Sequence, residues 1–167
     1  MKNKVVFLDR DGVINIDKGY VYQKKDFIFI NGAIEALQYL QSLNYELIVV
    51  TNQSGIARGF FEEKDFKSLS KYMLETLESS NILIKDIFFC PHLPNAVIKK
   101  YDKTCSCRKP KSGMIEDAIK KYNIDRENSI LIGDSQRDIE AGKSAKIKSF
   151  LFKGDNLYNF VLENIIN

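Results

Sequence analysis

Short apolar runs alternate along this chain with stretches whose apolar residues recur at helical spacing. Val5-Val6-Phe7-Leu8 is apolar without a break, the pattern of a strand buried on both faces. Similar runs over 46–50, 84–89, 129–132 and 147–152 predict four more strands. Between them, Ile34, Leu37, Leu40 and Leu43 predict a helix over 32–43. Phe66, Leu69, Met73 and Leu77 predict another over 62–80, with two acids in its first turn. Further helices are expected over 112–122, 136–144 and 157–166. Ser112 is placed to cap the first of these, with Glu116 one position past the ideal capping-box site. Residues 11–25, 51–59 and 90–110 read as loops, and the apolar stretch 27–30 fits no element.

Strand–helix alternation of this kind predicts an α/β fold, a parallel sheet with helices on both faces. Ligands bind such sheets at the carboxyl ends of the strands. Polar residues fall at those ends: Asp9 and Asp11 after the first strand, Thr51 and Asn52 after the second, Asp134 after the fourth. The first pair is the most telling. Desolvation penalises a carboxylate at the tip of a buried strand. Chemistry uses such a pair well, since one carboxylate can attack an electrophile, the other can handle a proton, and both can help hold a hard cation.

At 167 residues the chain is expected to be one domain, 1–167, with a substantial core. Its net charge of +3 and lack of a Lys/Arg stripe argue against nucleic acid, the nearest candidate, Lys99-Lys100, being only two residues long. No apolar run approaches a membrane span, and the start, Met1-Lys2-Asn3-Lys4, leads into too short an apolar stretch for a signal peptide. A cytoplasmic protein is expected. All three cysteines and the one histidine lie between Cys90 and Cys107, which in a reducing compartment suggests metal before disulfide. Buried free cysteines beside a surface histidine are the plainer alternative.

Four motifs now stand in order at the strand ends: Asp9-x-Asp11-Gly12-Val13, Thr51 after Ile48-Val49-Val50, Lys109 in Cys107-Arg108-Lys109-Pro110, and Gly133-Asp134-Ser135-Gln136-Arg137-Asp138. Together they resemble the haloacid dehalogenase (HAD) superfamily of phosphotransferases, which implies a Rossmann-like HAD fold. The runs Asp9 to Asn15, Gly19-Tyr20-Val21 and Thr51 to Gly59, with the Cys/His loop, narrow the resemblance to the heptose bisphosphate 7-phosphatases. It covers nearly the whole chain. Histidinol-phosphate phosphatases share the metal loop, but Ser54 through Gly59 favours the heptose family. Members often carry Lys directly after the fourth-motif Asp, where this chain has Ser135, which bears on one substrate contact and on the preferred anomer.

The resemblance implies a phosphomonoester hydrolase that removes the C7 phosphate of a heptose bisphosphate, in the synthesis of lipopolysaccharide core or other surface glycans. It implies Asp9 as nucleophile, Asp11 as proton handler, and catalytic Mg²⁺ held by Asp9, Asp134 and the Asp11 backbone carbonyl. Thr51 and Asn52 would donate to phosphoryl oxygens, and Lys109 would offset transition-state charge. Arg108, with a fork suited to phosphate, is assigned to the second phosphate. Asp17, Gly19, Tyr20, Gln53, Ser54 and Ser135 complete the expected substrate contacts, with Arg58 a weaker candidate. Cys90, His92, Cys105 and Cys107 would hold a structural Zn²⁺, four ligands leaving no open position. The gaps from Asp11 to Thr51 and from Thr51 to Lys109, 40 and 58 residues, leave no room for a cap domain. A monomer acting on a small phosphorylated sugar is expected. The alternatives are a histidinol-phosphate or other small-sugar phosphatase, and, in another class, an inactive zinc-binding interaction domain.

Overall fold

The computed structural model describes residues 2–165; Met1 and Ile166, the expected end of the last helix, lie outside the described residues. Five parallel strands form one sheet: β1 (Val5–Leu8), β2 (Glu46–Asn52), β3 (Ile84–Cys90), β4 (Ile130–Gly133) and β5 (Lys148–Leu151). Their order across the sheet is β3-β2-β1-β4-β5. Five α-helices connect and flank them: α1 (Ala33–Ser42), α2 (Glu63–Glu78), α3 (Gly113–Tyr122), α4 (Gln136–Ser144) and α5 (Leu157–Asn164).

Alternation along the strands builds two cores. Val6, Leu8, Leu47, Val49 and Ile132 pack on one face against Leu37 and Leu40 of α1, Leu69 and Met73 of α2, and Leu157 and Val161 of α5. Val5, Phe7, Ile48, Val50 and Leu131 meet Met114 and Ala118 of α3 and Ala141 of α4 on the other. The expected helices on both faces are therefore present. β1 lies at the centre, where the strand order reverses, and ligands of doubly wound sheets bind outside the carboxyl ends at such a switch point.

Several boundaries differ from the sequence reading. β2 runs on through Thr51 and Asn52, because these residues still pair with Phe89 and Cys90. α2 stops at Glu78, and Asn81, with φ +59°, turns the chain away soon after. Ser112 stands at the N-cap of α3, but its hydroxyl makes no capping bond. Instead the Gly113 N–H donates to the Ser106 carbonyl, and Glu116 forms a two-pronged pair with Arg126 at 2.8 and 2.6 Å. The stretch 27–30 finds a use after all. Ile16 N–H donates to Ile28 O and Ile30 N–H to Ile14 O, pinning the loop that follows β1.

Candidate active site

The tips of β1, β2 and β4 and the end of the loop before α3 enclose a cleft of about 310 Å³. Asp9, Asp11, Lys109 and Asp134 line its floor, Asn52, Gln53, Ser54 and Arg108 one part of the wall, Asp17, Gly19 and Tyr20 another. Two further arginines, Arg58 and Arg137, also line it. Of the predicted catalytic and substrate residues, only Thr51 and Ser135 are not part of the lining.

Lys109 is the electrostatic hub. Its side chain is almost wholly buried, and Nζ lies 2.8 Å from Val50 O, 3.0 Å from Asp9 Oδ1 and 2.6 Å from Asp138 Oδ1. Burial disfavours the ammonium, but Asp9 and Asp138 outweigh it and hold its pKa above that of an ordinary lysine. The backbone is fixed as well: Asn52 Nδ2 donates to Lys109 O at 3.1 Å, and Lys109 N–H donates to Asn52 Oδ1 at 3.0 Å. The Asn52 side chain thus ties the tip of β2 to the loop carrying the lysine.

Asp9 Oδ1 also accepts the Arg10 N–H at 2.8 Å. Burial pushes the Asp9 carboxyl up to about 7; Lys109 opposes this, while Asp138 and Asp134 add to it. Burial also raises Asp134, and the charge of Asp138 reinforces it. Carboxylate oxygens of Asp9, Asp134 and Asp138 all lie within 4.8 Å of one another. Three acids around one ammonium leave negative charge in excess, which suits a divalent cation bound through oxygen. Asp138 is the least available of the three. Its Oδ2 accepts from Asp134 N–H, Ser135 N–H and Ser135 Oγ at 3.2, 3.1 and 2.9 Å, and its Oδ1 sits on Lys109. Asp9 and Asp134 are then the side chains that could hold Mg²⁺. Gly12 makes room for them: it has φ +88°, and a Cβ there would collide with Asp134 Oδ2.

Asp11 faces a different set of partners. Its Oδ1 accepts from Arg10 Nη2 at 2.8 Å and Asn15 Nδ2 at 3.0 Å, and its Oδ2 from Gln53 Nε2 at 3.1 Å. Gln53 also donates to Thr51 Oγ1 at 2.8 Å, so Thr51, fully buried, stands in the same network. Asp17 Oδ1 accepts the Gly19 N–H at 2.8 Å, shaping the turn that presents Tyr20. The Arg58 guanidinium lies 5.6 Å from the Tyr20 ring centroid.

Cys90, His92, Cys105 and Cys107 converge beside the cleft. Their ligand atoms lie within 4.8 Å of one another, and the cysteines are free thiols. His92 Nδ1 is 3.6 Å from Cys90 Sγ and 3.2 Å from Cys107 Sγ, and Cys105 Sγ lies 3.5 Å from Cys90 Sγ. Burial lowers the His92 pKa, with the charge of Lys103 assisting. Three sulfurs and one imidazole nitrogen in a closed group fit a tetrahedral structural zinc. Cys107 leads directly into Arg108 and Lys109.

The sequence reading gave no role to Arg10, Asn15, Arg137 or Asp138. Arg10, nearly inaccessible, ties Asp11 to the Val21 carbonyl. Nothing in the local pattern reveals which way a residue between two strand-end acids will point. Asp138 did leave a signal: Ser135-x-x-Asp138 is a capping-box spacing at the start of a helix.

Known proteins bear on this arrangement. A family model described as HAD-hydrolase-like matches residues 106–157. The chain is 45% identical to a D-glycero-alpha-D-manno-heptose-1,7-bisphosphate 7-phosphatase of Photorhabdus laumondii, the match covering 99% of this chain and 91% of the relative. It is 42% identical to a D-glycero-beta-D-manno-heptose-1,7-bisphosphate 7-phosphatase of Haemophilus influenzae, over 99% and 94%. Among solved structures, the D,D-heptose 1,7-bisphosphate phosphatase from B. bronchiseptica, complexed with magnesium and phosphate, superposes with a TM-score of 0.81 at 31% identity, covering 96% of this chain and 86% of that one. With a parallel sheet that gathers its acids at one edge and relatives of this name 42–45% identical over 99% of its length, the chain belongs to the heptose-1,7-bisphosphate 7-phosphatases, phosphoric monoester hydrolases of the HAD superfamily.

Proposed function

We propose that this chain hydrolyses the C7 phosphate of D-glycero-D-manno-heptose 1,7-bisphosphate through an aspartyl-phosphate on Asp9, as a single domain without a cap. One observation carries the reading. Asp9, Asp134 and Lys109 meet at the floor of a cleft that three arginines also line.

Asp9 Oδ1 is held by Lys109 and the Arg10 N–H, which orients Oδ2 as the attacking atom. As the Asp9–phosphorus bond forms and the phosphorus–O7 bond breaks, Asp11 gives a proton to the sugar oxygen. Asp11 then takes a proton from the water that hydrolyses the acyl phosphate. Arg10, Asn15 and Gln53 keep the Asp11 carboxyl at the cleft wall through both steps. Thr51 and the Asn52 N–H offer donors to the phosphoryl oxygens, and Lys109 offsets charge gained in the transition state. Mg²⁺, held by Asp9, Asp134 and the Asp11 carbonyl, would neutralise phosphoryl charge when bound. A zinc ion on the four-ligand cluster supports the reading in another way, because it would hold Arg108 and Lys109 in place.

The deciding experiment compares kcat/KM for the α and β heptose bisphosphates and for histidinol phosphate, with Mg²⁺ present. A clear preference for one heptose anomer is expected. Asp9→Asn should cut turnover by on the order of 10⁴-fold or more while the fold persists. A preference for histidinol phosphate would overturn the substrate. Failure of both the wild type and Asp9→Asn on all phosphate esters would favour a binding domain.

A further inference from the structure

The cleft contains one cation that neither the chemistry above nor the fold employs. Arg137 lines the cleft from the first turn of α4, three residues after Asp134. Among the described residues it has no hydrogen bond, ion pair or ring contact, unlike Arg10, Arg126 and Lys109. A positive charge in the first turn of a helix also works against the helix dipole. Local stability therefore gives no reason for an arginine there. A ligand does, if it brings negative charge to that wall.

Ser135 cannot meet that need. Its hydroxyl and N–H both donate to Asp138 Oδ2, and its side chain is not part of the cleft lining. The position directly after Asp134 is committed to holding the helix start and, through Asp138, Lys109. The remaining cations divide the space. Lys109 is consumed by Asp9 and Asp138. Arg58 lies over the Tyr20 ring. Arg108 has a buried Nη1 without a partner, which accounts for one side of an anion.

We infer that Arg137 is a specificity-determining residue: with Arg108 it receives the non-reacting phosphate of the substrate, doing from α4 what Ser135 does not. This rests on the bisphosphate reading above. Two arginines that line one cleft from separate elements can supply paired donors to a phosphate, which would select a second phosphoryl group over a sugar hydroxyl. Arg137 acts on substrate choice and leaves the bond-breaking step to Asp9 and Asp11.

The test compares heptose 1,7-bisphosphate with heptose 7-phosphate, each with Mg²⁺, for the wild type, Arg137→Ala, Arg137→Lys and the exposed neighbour variant Gln136→Ala. The wild type should favour the bisphosphate in kcat/KM. Arg137→Ala should erase roughly tenfold or more of that preference, mostly through KM for the bisphosphate, as loss of one charge-assisted contact predicts. Arg137→Lys should recover part of it, and Gln136→Ala should match the wild type. A preference that survives Arg137→Ala in a folded protein overturns this inference alone. A wild type that shows no preference for the bisphosphate overturns the substrate reading and this inference with it.

Discussion

Lys109 uses its whole donor capacity within the protein, on Val50 O, Asp9 and Asp138. An ammonium this deeply buried stays charged only while carboxylates face it. Asp138→Ala removes one of the two and leaves part of that charge unbalanced. Breaking a buried pair costs about 3–5 kcal/mol, so the melting temperature should fall by roughly 10 °C. Calorimetry of the variant checks this, and a melt within 2 °C of the wild type would show that the pair contributes little. Lys109 itself was legible, because it follows Arg108 at the end of the cysteine motif. The partner was not, although Asp138 stands in the fourth motif. Its spacing from Ser135 announced a helix start and said nothing about the lysine 29 residues earlier in the chain. Asp11 shows the same limit. Its place at the strand end was plain, but its donors come from Arg10, Asn15 and Gln53, and only the folded loop brings the last of these near.

At the level of elements, the loop between β3 and α3 is the least determined by local sequence. It runs about 20 residues with only one short 3-10 turn, Lys99–Tyr101. Such a loop rarely holds one shape without an added constraint. Two constraints act here: the Cys/His cluster near its ends, and the Asn52 amide gripping the Lys109 peptide. If the Cys/His cluster holds the proposed zinc, treatment with a strong chelator followed by Mg²⁺ alone should lower kcat/KM by about tenfold or more, since supports of this kind typically matter at that level. Limited proteolysis should find new cleavage between 91 and 106. Full activity with an unchanged cleavage pattern would refute a supporting role for the metal. The sequence showed which residues could ligate, because their types and clustering are local. It did not show that β2 extends through Asn52, since that depends on pairing with β3 across the sheet.

For the whole molecule, pH and Mg²⁺ should be coupled through Asp9. With its carboxyl at about 7 in the fold and 3.8 as the ordinary value, the metal-free protein binds a proton there that the unfolded chain releases. Stability from this group is therefore present at low pH and lost as pH rises from about 4 to 7. Mg²⁺ must displace that proton, so its affinity should fall by about tenfold per pH unit below 7 and level off above it. Thermal shifts across Mg²⁺ titrations at pH 6 and pH 8 check the sign: the gain should be larger at pH 8. An equal gain at both would remove Asp9 from the linkage. Parallel strands and two-faced helices were legible from alternation alone. The order β3-β2-β1-β4-β5 was not, because nothing in the alternation says which connection carries the chain back across the sheet.

That order has a consequence during synthesis. β1 is the first strand made, yet it ends at the centre of the sheet. Glu46 to Val49 of β2 can cover one edge early, but the other waits for Ile130 to Ile132 of β4. Until then the growing chain exposes an apolar strand edge, the kind of surface that recruits stray strands. The same delay keeps the site incomplete. Asp9 is made near the start of the chain and meets Asp134 only when about four-fifths of it exists. A ribosome-bound or truncated fragment lacking β4 should carry Asp9, the proposed nucleophile, without the Asp134 that would complete the cation site.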